Sequence, residues 1–472
     1  MMIFLKKQGE KMKKRLTFII SLFVFSSVFF WTAVSAQTGD AYAVRRKNLI
    51  EKIGKGLAVL PSKVSGARGP VDRGPQDNKD FDYLTGIAEP EAVLVLSGEG
   101  EQKEVLFNRS GKWTGPVGTT LDVRPASELR PFMIRSAAQK RIYIVFSTLD
   151  ATFQAIGGAA VLAQSAEITN LEPVISEIRD IKSLGEIKTL QKAIDVTADA
   201  YVEVLKAIGP GMREIDLKAV LEYDYIRRGA DASFTQIASG PNSVNIHFGV
   251  TQREMKAGDV IVFDLGAWYD KYTSDISRTV PVSGRFTKDQ ADIYNVVLNA
   301  QKEGIRLMVS GNGALKTQTA VEDALLAGLA KLGLVTDLAS PWQKRLYIQH
   351  GFTHGIGLDV HDVWPWFSAE MRKGATYKPG MVYTMEPGLY FSEGMLDALP
   401  ARLKSLVSEE EFKAFAAKVA PTYKKYSGMG CRIEDDILVT ETGNQVLTAR
   451  APKEIADIEK TMKLSSPFKQ MR

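Results

Sequence analysis

Cysteine, histidine and net charge are all scarce in this 472-residue chain. Cys431 is the single cysteine, so no intramolecular disulfide can form and stability must come from packed apolar cores. The formal net charge of +5 is small for this length, and part of it lies near the amino terminus, so nucleic acid is not an expected partner. The length is sufficient for two or three globular domains.

The amino terminus has the pattern of a secretory signal peptide. A basic stretch at residues 11–15 precedes an apolar run at 16–33, and small residues at 34–36 suit cleavage before Gln37. Residues 1–36 are therefore predicted to direct export to the periplasm or the medium. The alternative is an uncleaved membrane anchor, because the apolar run is nearly long enough to span a bilayer.

Residues 40–171 are predicted to form a first α/β domain without a cluster of catalytic residue types. The pattern indicates a helix at 42–53, a long loop at 64–80, and strands at 57–60, 92–96, 104–107 and 141–146. A second domain is predicted at 180–450, followed by a tail at 451–472. It opens with helices at 187–208 and 214–228, whose apolar stripes indicate core packing.

Three of the four histidines lie in one short segment, residues 348–362. His350, His354 and His361 alternate there with three glycines, which argues against a helix and predicts close backbone packing. The alternative is a glycine-rich loop whose histidines are incidental.

A predicted β-hairpin carries two aspartates among apolar residues. Asp264 lies in the strand 260–268 and Asp275 in the strand 272–282. If Tyr269 and Asp270 form the turn, Asp264 lies directly opposite Asp275, with Cβ atoms about 4.5–5.5 Å apart. Two buried carboxylates this close require a shared proton or a metal ion. The alternative is a surface hairpin with solvated aspartates.

Two more carboxylates lie in apolar strands, Glu386 before Pro-Gly and Glu434 within Arg-Ile-Glu-Asp-Asp. With His354 and the hairpin aspartates they make four carboxylates and one imidazole. Such an oxygen-rich set suits Mn²⁺, Fe²⁺ or Co²⁺ better than a thiolate-preferring metal. Two bridging carboxylates would hold two ions about 3.5–4 Å apart.

The motifs Asp-x10-Asp, His-x6-His-Asp, Met-Glu-Pro-Gly and Arg-Ile-Glu-Asp-Asp occur in this order. The chain thereby resembles the pita-bread metallopeptidases, and among them the Xaa-Pro aminopeptidases and prolidases, over about residues 45–447. Residues 82–87 and 239–242 add to the resemblance. It implies an α/β fold, with a creatinase-like N-terminal domain followed by a pita-bread catalytic domain.

The resemblance also implies which residues act. Five ligands would hold two divalent ions, usually Mn²⁺, with Co²⁺, Fe²⁺ or Zn²⁺ as alternatives; they are Asp264, Asp275, His354, Glu386 and Glu434. Asp275 and Glu434 would bridge the ions. Family positions around the substrate correspond to His247, His350, His361 and Arg432.

The predicted activity is removal of the N-terminal residue from peptides with proline at the second position. Glu386 would accept the proton of the attacking water, and His361 and His247 would stabilise the tetrahedral intermediate. His350 would shape the proline-side subsite. A homo-oligomer, dimer or tetramer, is expected from the resemblance.

Three other activities compete with this one. A prolidase, which cleaves dipeptides, fits the same metal motifs. A metal-free binding module and a creatinase-type enzyme both predict broken ligands, and all five ligand positions are intact.

The chain departs from the family in a long insertion, about residues 393–429, between the two glutamate strands. Ser408 and Glu411 form a capping-box signature, followed by apolar residues at helical spacing. One or two extra helices are therefore predicted. They are either surface decoration or a lid or oligomer contact.

Overall fold

The computed structural model describes residues 41–470 except 63–77, 88, 90, 101–102, 114, 116–120, 139, 157, 159–160, 162–164 and 364–373. The predicted leader and most of the predicted loop at 64–80 lie outside the described residues. The chain divides into two compact units, with the boundary after Val174. The helix Glu172–Asp180 spans that boundary.

The first unit is built on a six-stranded mixed sheet with the order β4-β3-β2-β1-β5-β6. The β1–β2 and β2–β3 pairs are antiparallel and the other neighbours are parallel. Its strands are β1 (Leu57–Pro61), β2 (Val93–Ser97), β3 (Glu104–Asn108), β4 (Asp122–Pro125), β5 (Arg141–Ile144) and β6 (Glu167–Asn170). Its helices are Ala41–Ile53, Lys79–Thr85, Leu129–Ser136 and Leu149–Ile156.

The apolar runs explain which strands the sequence predicts. Every residue of β1 and β2 is buried, as expected for central strands covered on both faces. The predicted helix at 42–53 and the four predicted strands form within two residues of their expected ends. The edge strands β4 and β6 were not predicted, because they are polar and partly exposed.

The second unit has long helices with well-formed caps. Ser183 and Glu186 form a capping box at one helix start, and Thr287 and Gln290 form another. The helices are Leu184–Ala207, Glu214–Arg227, Lys288–Leu307, Ala314–Lys331, Pro341–Tyr347, Glu409–Tyr423 and Ile455–Met462. Among the described helices, none combines the length and the hydropathy needed to cross a bilayer.

The described strands of the second unit form three small sheets. The orders are β10-β8-β7 with β9 paired to β8, then β11-β14-β15, and β12-β13. The strands are β7 (Asp231–Ser239), β8 (Val260–Tyr269), β9 (Tyr272–Thr273), β10 (Ile276–Pro281), β11 (Val382–Met385), β12 (Gly388–Phe391), β13 (Met429–Arg432), β14 (Asp435–Val439) and β15 (Asn444–Val446).

The predicted hairpin forms, but its predicted register is wrong. Asp270 and Lys271 make the turn, both with positive φ, so Tyr269 pairs with Tyr272. Asp264 therefore opposes Ser277 instead of Asp275. The strand pairing is interrupted before β10, at the position of Asp275. The observed pairing differs from the predicted one by two residues. Such a shift leaves each side chain on its predicted face of the sheet, since strand side chains alternate with a period of two.

The histidine segment is extended and closely packed, as the sequence predicts. An isolated bridge joins Gly355 to Tyr383 of β11. A Cβ atom on Gly355 would lie 2.7 Å from the Val363 carbonyl oxygen, and one on Gly357 would lie 2.3 Å from Asp362 Oδ2. A side chain at Gly355 would clash with backbone, and one at Gly357 would displace the Asp362 carboxylate, so both positions favour glycine.

Candidate metal centre and active site

One cavity of about 270 Å³ in the second unit collects every site residue predicted from the sequence. Its lining includes the three histidines of the 348–362 segment, His247 and Arg432. It also includes the four predicted carboxylates, Asp264, Asp275, Glu386 and Glu434. The prediction that these residues share one site is therefore matched by the fold, while their individual roles stay predictions.

His354 lies at the centre of the carboxylates. Its Nε2 atom is 3.5 Å from Asp275 Oδ2, 3.5 Å from Glu386 Oε1 and 3.7 Å from Glu434 Oε1. Nδ1 lies 3.0 Å from the Gly355 carbonyl oxygen, which accepts its hydrogen and leaves the Nε2 lone pair facing the carboxylates. Burial lowers the pKa of His354 to about 3, so the ring is neutral, as a metal ligand must be.

The central carboxylates are buried without enough compensating positive charge. Burial, followed by repulsion from neighbouring carboxylates, raises the pKa of Asp275 and of Glu386 well above the usual range. The same causes raise the pKa of Glu434 to about 7. Asp275 Oδ1 and Glu434 Oε1 are buried and have no hydrogen-bond partner among the described residues. A ligand atom from each of Asp275, His354 and Glu434 lies within 4.8 Å of the others. This arrangement fits bound divalent cations.

Asp264 is held differently from the other three carboxylates. It accepts hydrogen bonds from Gln236 Nε2 at 2.6 Å, Arg432 Nη2 at 2.6 Å and Ser277 Oγ at 3.0 Å. Ser277 Oγ also lies 2.8 Å from Glu434 Oε2, so one hydroxyl links the two carboxylates. Gln236 and Ser277 were not predicted from the sequence, because neither residue type stands out among strand residues.

Arg432 is only 3% exposed and is surrounded by protein partners. Besides Asp264, its guanidinium donates to Ser277 Oγ at 2.8 Å, to the Ile246 carbonyl at 2.9 Å and to the Tyr390 hydroxyl at 2.9 Å. The Tyr390 hydroxyl lies 3.0 Å from His350 Nε2. Sequence reasoning missed Tyr390, since a tyrosine in an apolar strand is usually a core residue. Arg432 therefore connects the carboxylates to His350.

His350 lies at the edge of the carboxylate cluster. Its Nδ1 atom is 2.6 Å from the Gly351 carbonyl oxygen and 3.7 Å from Glu386 Oε2. Burial lowers the pKa of His350 to about 4, so its imidazole is neutral near pH 7. The short contact to the Gly351 carbonyl places the ring hydrogen on Nδ1 and leaves Nε2 to accept from Tyr390.

His247 and His361 are the exposed histidines of the cavity. The His361 ring centroid lies 4.4 Å from that of His354. The next residue, Asp362, is buried and pairs with Arg179 and with Lys182, whose Nζ lies 3.2 Å from Asp362 Oδ2. These ion pairs fix the turn that presents His361, and nothing in the local sequence predicts them.

A second buried charge cluster lies directly behind Glu434. Asp435, which is 0% exposed, accepts from Arg278 Nη2 at 2.7 Å, Gln301 Nε2 at 2.8 Å and Thr448 Oγ1 at 2.6 Å, and it pairs with Lys453. These partners hold the pKa of Asp435 far below its usual range despite burial. Arg278 also donates to the Glu434 carbonyl, so the cluster supports the backbone of a candidate ligand.

Comparison with known proteins gives consistent matches over most of the chain. Residues 188–441 match metallopeptidase family M24, and residues 42–121 match the aminopeptidase P N-terminal domain. The Xaa-Pro aminopeptidase of Escherichia coli K12 is 33% identical over 454 residues, covering 89% of this chain and 96% of the relative. The Xaa-Pro dipeptidase of Mus musculus is 31% identical, covering 64% of each chain.

The solved structure of E. coli aminopeptidase P with the inhibitor Pro-Leu superposes with a TM-score of 0.73 at 30% identity. It covers 90% of this chain and 98% of that chain. The expected fold, a creatinase-like α/β domain followed by a pita-bread domain, is thereby confirmed. On the family match and the identity to its relatives, the chain belongs to metallopeptidase family M24.

Proposed function

We propose that this protein is a dinuclear-metal Xaa-Pro aminopeptidase, which removes the N-terminal residue from peptides with proline at the second position. The observation that carries the proposal is the convergence of three carboxylates on the neutral imidazole of His354, with a fourth, Asp264, in the same cavity. The name of the E. coli relative, which this chain matches over nearly its whole length, supports the substrate class.

The five predicted ligands suit two divalent cations, with Mn²⁺ the first expectation and Co²⁺, Fe²⁺ or Zn²⁺ the alternatives. Asp275 and Glu434 are the proposed shared ligands, because each has a buried oxygen without a hydrogen-bond partner in the described structure. His354, Glu386 and Asp264 would complete the set. When bound, the cations supply an acidified water and polarise the scissile carbonyl.

Glu386 is the proposed proton acceptor. Its side chain is 17% exposed, whereas that of Glu434 is 2% exposed, so Glu386 lies nearer to the open part of the cavity. Among the carboxylates of the cluster, Glu386 is therefore best placed to exchange protons with substrate.

His361 and His247 are the proposed stabilisers of the developing oxyanion. Both are exposed in the cavity, so their ring N–H groups can reach a bound peptide. His350, beside Glu386 and neutral, would border the proline-side subsite. Arg432 would act indirectly, by orienting Asp264 and Tyr390.

The substrate makes a specific demand on this site. The nitrogen of an Xaa-Pro bond has no hydrogen and cannot donate to an enzyme acceptor as an ordinary amide does. The leaving nitrogen must instead gain a proton from a nearby acid. The exposed histidines of the cavity, His247 and His361, can deliver that proton.

The alternative is an Xaa-Pro dipeptidase, which the similarity to the mouse dipeptidase supports. The two activities differ in whether residues may follow the proline. The purified protein, loaded with Mn²⁺, should be incubated with Xaa-Pro and with Xaa-Pro-Yaa-Zaa while release of Xaa is followed. The chelated protein is the control, and elemental analysis should give two ions per chain.

Cleavage of the tetrapeptide supports the aminopeptidase. Cleavage of the dipeptide alone would replace it with the dipeptidase. Cleavage of neither, with metal bound, would refute a proline-specific peptidase.

We also propose export through residues 1–36 and assembly into a homo-oligomer. Mass spectrometry of the exported protein should then find Gln37 at its amino terminus. An intact leader in the membrane fraction would instead indicate an anchor. Light scattering of the purified protein should give a dimer or tetramer, and a monomeric mass would contradict the assembly.

A further inference from the structure

The segment 393–429, which connects β12 to β13, is part of the core of the second unit. It contains a short 3-10 helix, Ala401–Leu403, and the helix Glu409–Tyr423 with Ser408 as its N-cap. Its inward side chains are at most 5% exposed and join the main apolar cluster; they are Leu403, Phe412, Phe415, Val419, Tyr423 and Tyr426. Burial of this extent does not fit surface decoration.

The segment holds the short helix Pro341–Tyr347 on one side. The Trp342 ring packs edge-on against Phe415 with centroids 4.8 Å apart, and its indole N–H donates to Glu411 Oε1 at 3.0 Å. Arg402 donates to the Leu346 carbonyl at 3.2 Å, near the end of the helix where carbonyls lack intrahelical partners. These contacts leave the helix little freedom to shift.

The segment also holds the end of β12. The Phe391 ring lies 5.6 Å from Tyr423 and 5.6 Å from Tyr426, and the Tyr423 hydroxyl donates to the Ser392 carbonyl at 2.8 Å. Phe391 in turn lies 6.1 Å from Tyr347. One segment therefore contacts both the short helix and the strand.

The short helix and β12 meet at His350. The helix ends at Tyr347, three residues before His350, so it sets the path of the chain into the cavity. β12 carries Tyr390, whose hydroxyl lies 3.0 Å from His350 Nε2. His350 is thus positioned from both sides by elements that the segment 393–429 holds.

We propose that the segment 393–429 is a brace that positions His350, with Trp342 and Glu411 as its principal positioning residues. This inference deepens the proposed function, since it assigns the segment a task at the same site. Substitutions at these two residues should lower the rate of peptide cleavage, although neither residue lines the cavity. A displacement of about 1 Å at a reacting group can lower a rate by about 100-fold.

Paired substitutions test the brace. Glu411→Ala removes the acceptor for the Trp342 indole, whereas Glu411→Gln keeps an acceptor. Trp342→Leu removes the ring, whereas Trp342→Phe keeps an aromatic edge. We expect kcat on an Xaa-Pro tetrapeptide to fall about tenfold in the first member of each pair and to recover in the second, at unchanged metal content.

Ile458→Ala is the control for general destabilisation. Ile458 is fully buried in the helix Ile455–Met462, far along the chain from the brace. At an equal loss of thermal stability it should leave kcat unchanged. If it lowers kcat as much as Trp342→Leu does, the brace is refuted.

A readout without catalysis separates this inference from the proposed function. With only four histidines, ring-labelled protein loaded with diamagnetic Zn²⁺ gives a simple imidazole NMR spectrum. We expect Glu411→Ala to move the His350 signal more than the His247 signal. If His350 is unmoved in both Glu411→Ala and Trp342→Leu, the brace is wrong even when wild type is an active peptidase. If wild type cleaves no Xaa-Pro peptide but the signal moves, only the proposed function fails.

Discussion

Glu434 and Asp435 are consecutive and both are buried, yet they lie in opposite electrostatic environments. Asp435 faces two cationic side chains, an amide and a hydroxyl, which hold its pKa far below the usual value. Burial, followed by repulsion from Asp264, raises the pKa of Glu434 to about 7. The chain therefore places a neutralised charge cluster directly beside one that is not neutralised.

The difference separates a structural carboxylate from a candidate ligand. Burial is unfavourable for either charge unless it is paired. Asp435 is paired by Arg278 and Lys453, so its charge contributes to the stability of the fold. Asp275 and Glu434 each keep an oxygen without a donor among the described residues, so only protons or cations can compensate them. Among these carboxylates, Asp435 is therefore structural, whereas Asp275 and Glu434 are the candidate ligands.

The largest effect is expected for Asp275→Asn. The amide cannot be shared by two cations, so activity on an Xaa-Pro peptide should fall by more than about 100-fold, the upper range for groups that merely support ligands. Metal per chain, measured by elemental analysis, should fall as well. The metal-free variant should be at least as stable as wild type, because one uncompensated charge is gone. Wild-type turnover at full metal content would contradict the ligand assignment.

Asp435→Asn should lower stability and leave metal binding unchanged, the opposite of what is expected for Asp275→Asn. It leaves Arg278 and Lys453 without their carboxylate, which should lower the free energy of unfolding by about 3–5 kcal/mol. Urea denaturation measures this, and metal per folded chain should stay unchanged. Adding Lys453→Met should recover part of the loss. No recovery in the double variant would show that the cluster is not held by charge pairing.

The two clusters should also respond oppositely to pH. A raised folded-state pKa means that ionisation destabilises the fold, so the metal-free protein should lose stability as pH rises from about 4.5 to 7, the interval through which Glu434 titrates. The depressed pKa of Asp435 has the reverse sign, and its stabilisation is lost only as pH falls below its ordinary value of 3.8. Thermal unfolding of chelated and Mn²⁺-loaded protein should diverge increasingly with rising pH. A difference between the two unfolding temperatures that stays constant with pH would argue against cations at this cluster.

The smallest effect is expected for Thr448→Val, which removes one donor from Asp435. A buried hydrogen bond to a charged group contributes about 1.5–3 kcal/mol, so the free energy of unfolding should fall by that amount. Thr448→Ser, which keeps the hydroxyl, is the matched control. Differential scanning calorimetry on both variants, with metal analysis, checks the prediction. A loss of metal in Thr448→Val would show that the two clusters are not separable.

The hairpin shows how far the sequence could predict the site. Its strands followed from apolar runs, but the turn was placed one residue early, at Tyr269 and Asp270. Asp270 and Lys271 adopt left-handed backbone, which is rare outside glycine, so their residue types did not predict a turn at this position. The prediction of a shared site survived because the resulting shift was two residues, which leaves side chains on the same face.

The supporting residues could not be predicted in the same way. Ser277 and Tyr390 act through bonds to residues more than forty positions away, such as Arg432. Arg179 and Lys182 reach Asp362 across 180 residues or more of chain. Local patterns report the period and polarity of a segment, whereas these contacts depend on which segments the fold brings together.

The reactivity of the lone cysteine can report motions of β13, the strand that ends shortly before Glu434. Cys431 is 2% exposed in β13, and burial raises the pKa of its thiol to about 12, so the closed protein offers almost no thiolate to a reagent. Labelling must then wait until β13 separates from its neighbours, and its rate reports the free energy of that opening. The labelling rate of the Cys431 sulfur can therefore report how often β13, which forms part of the cavity wall, opens with and without bound metal.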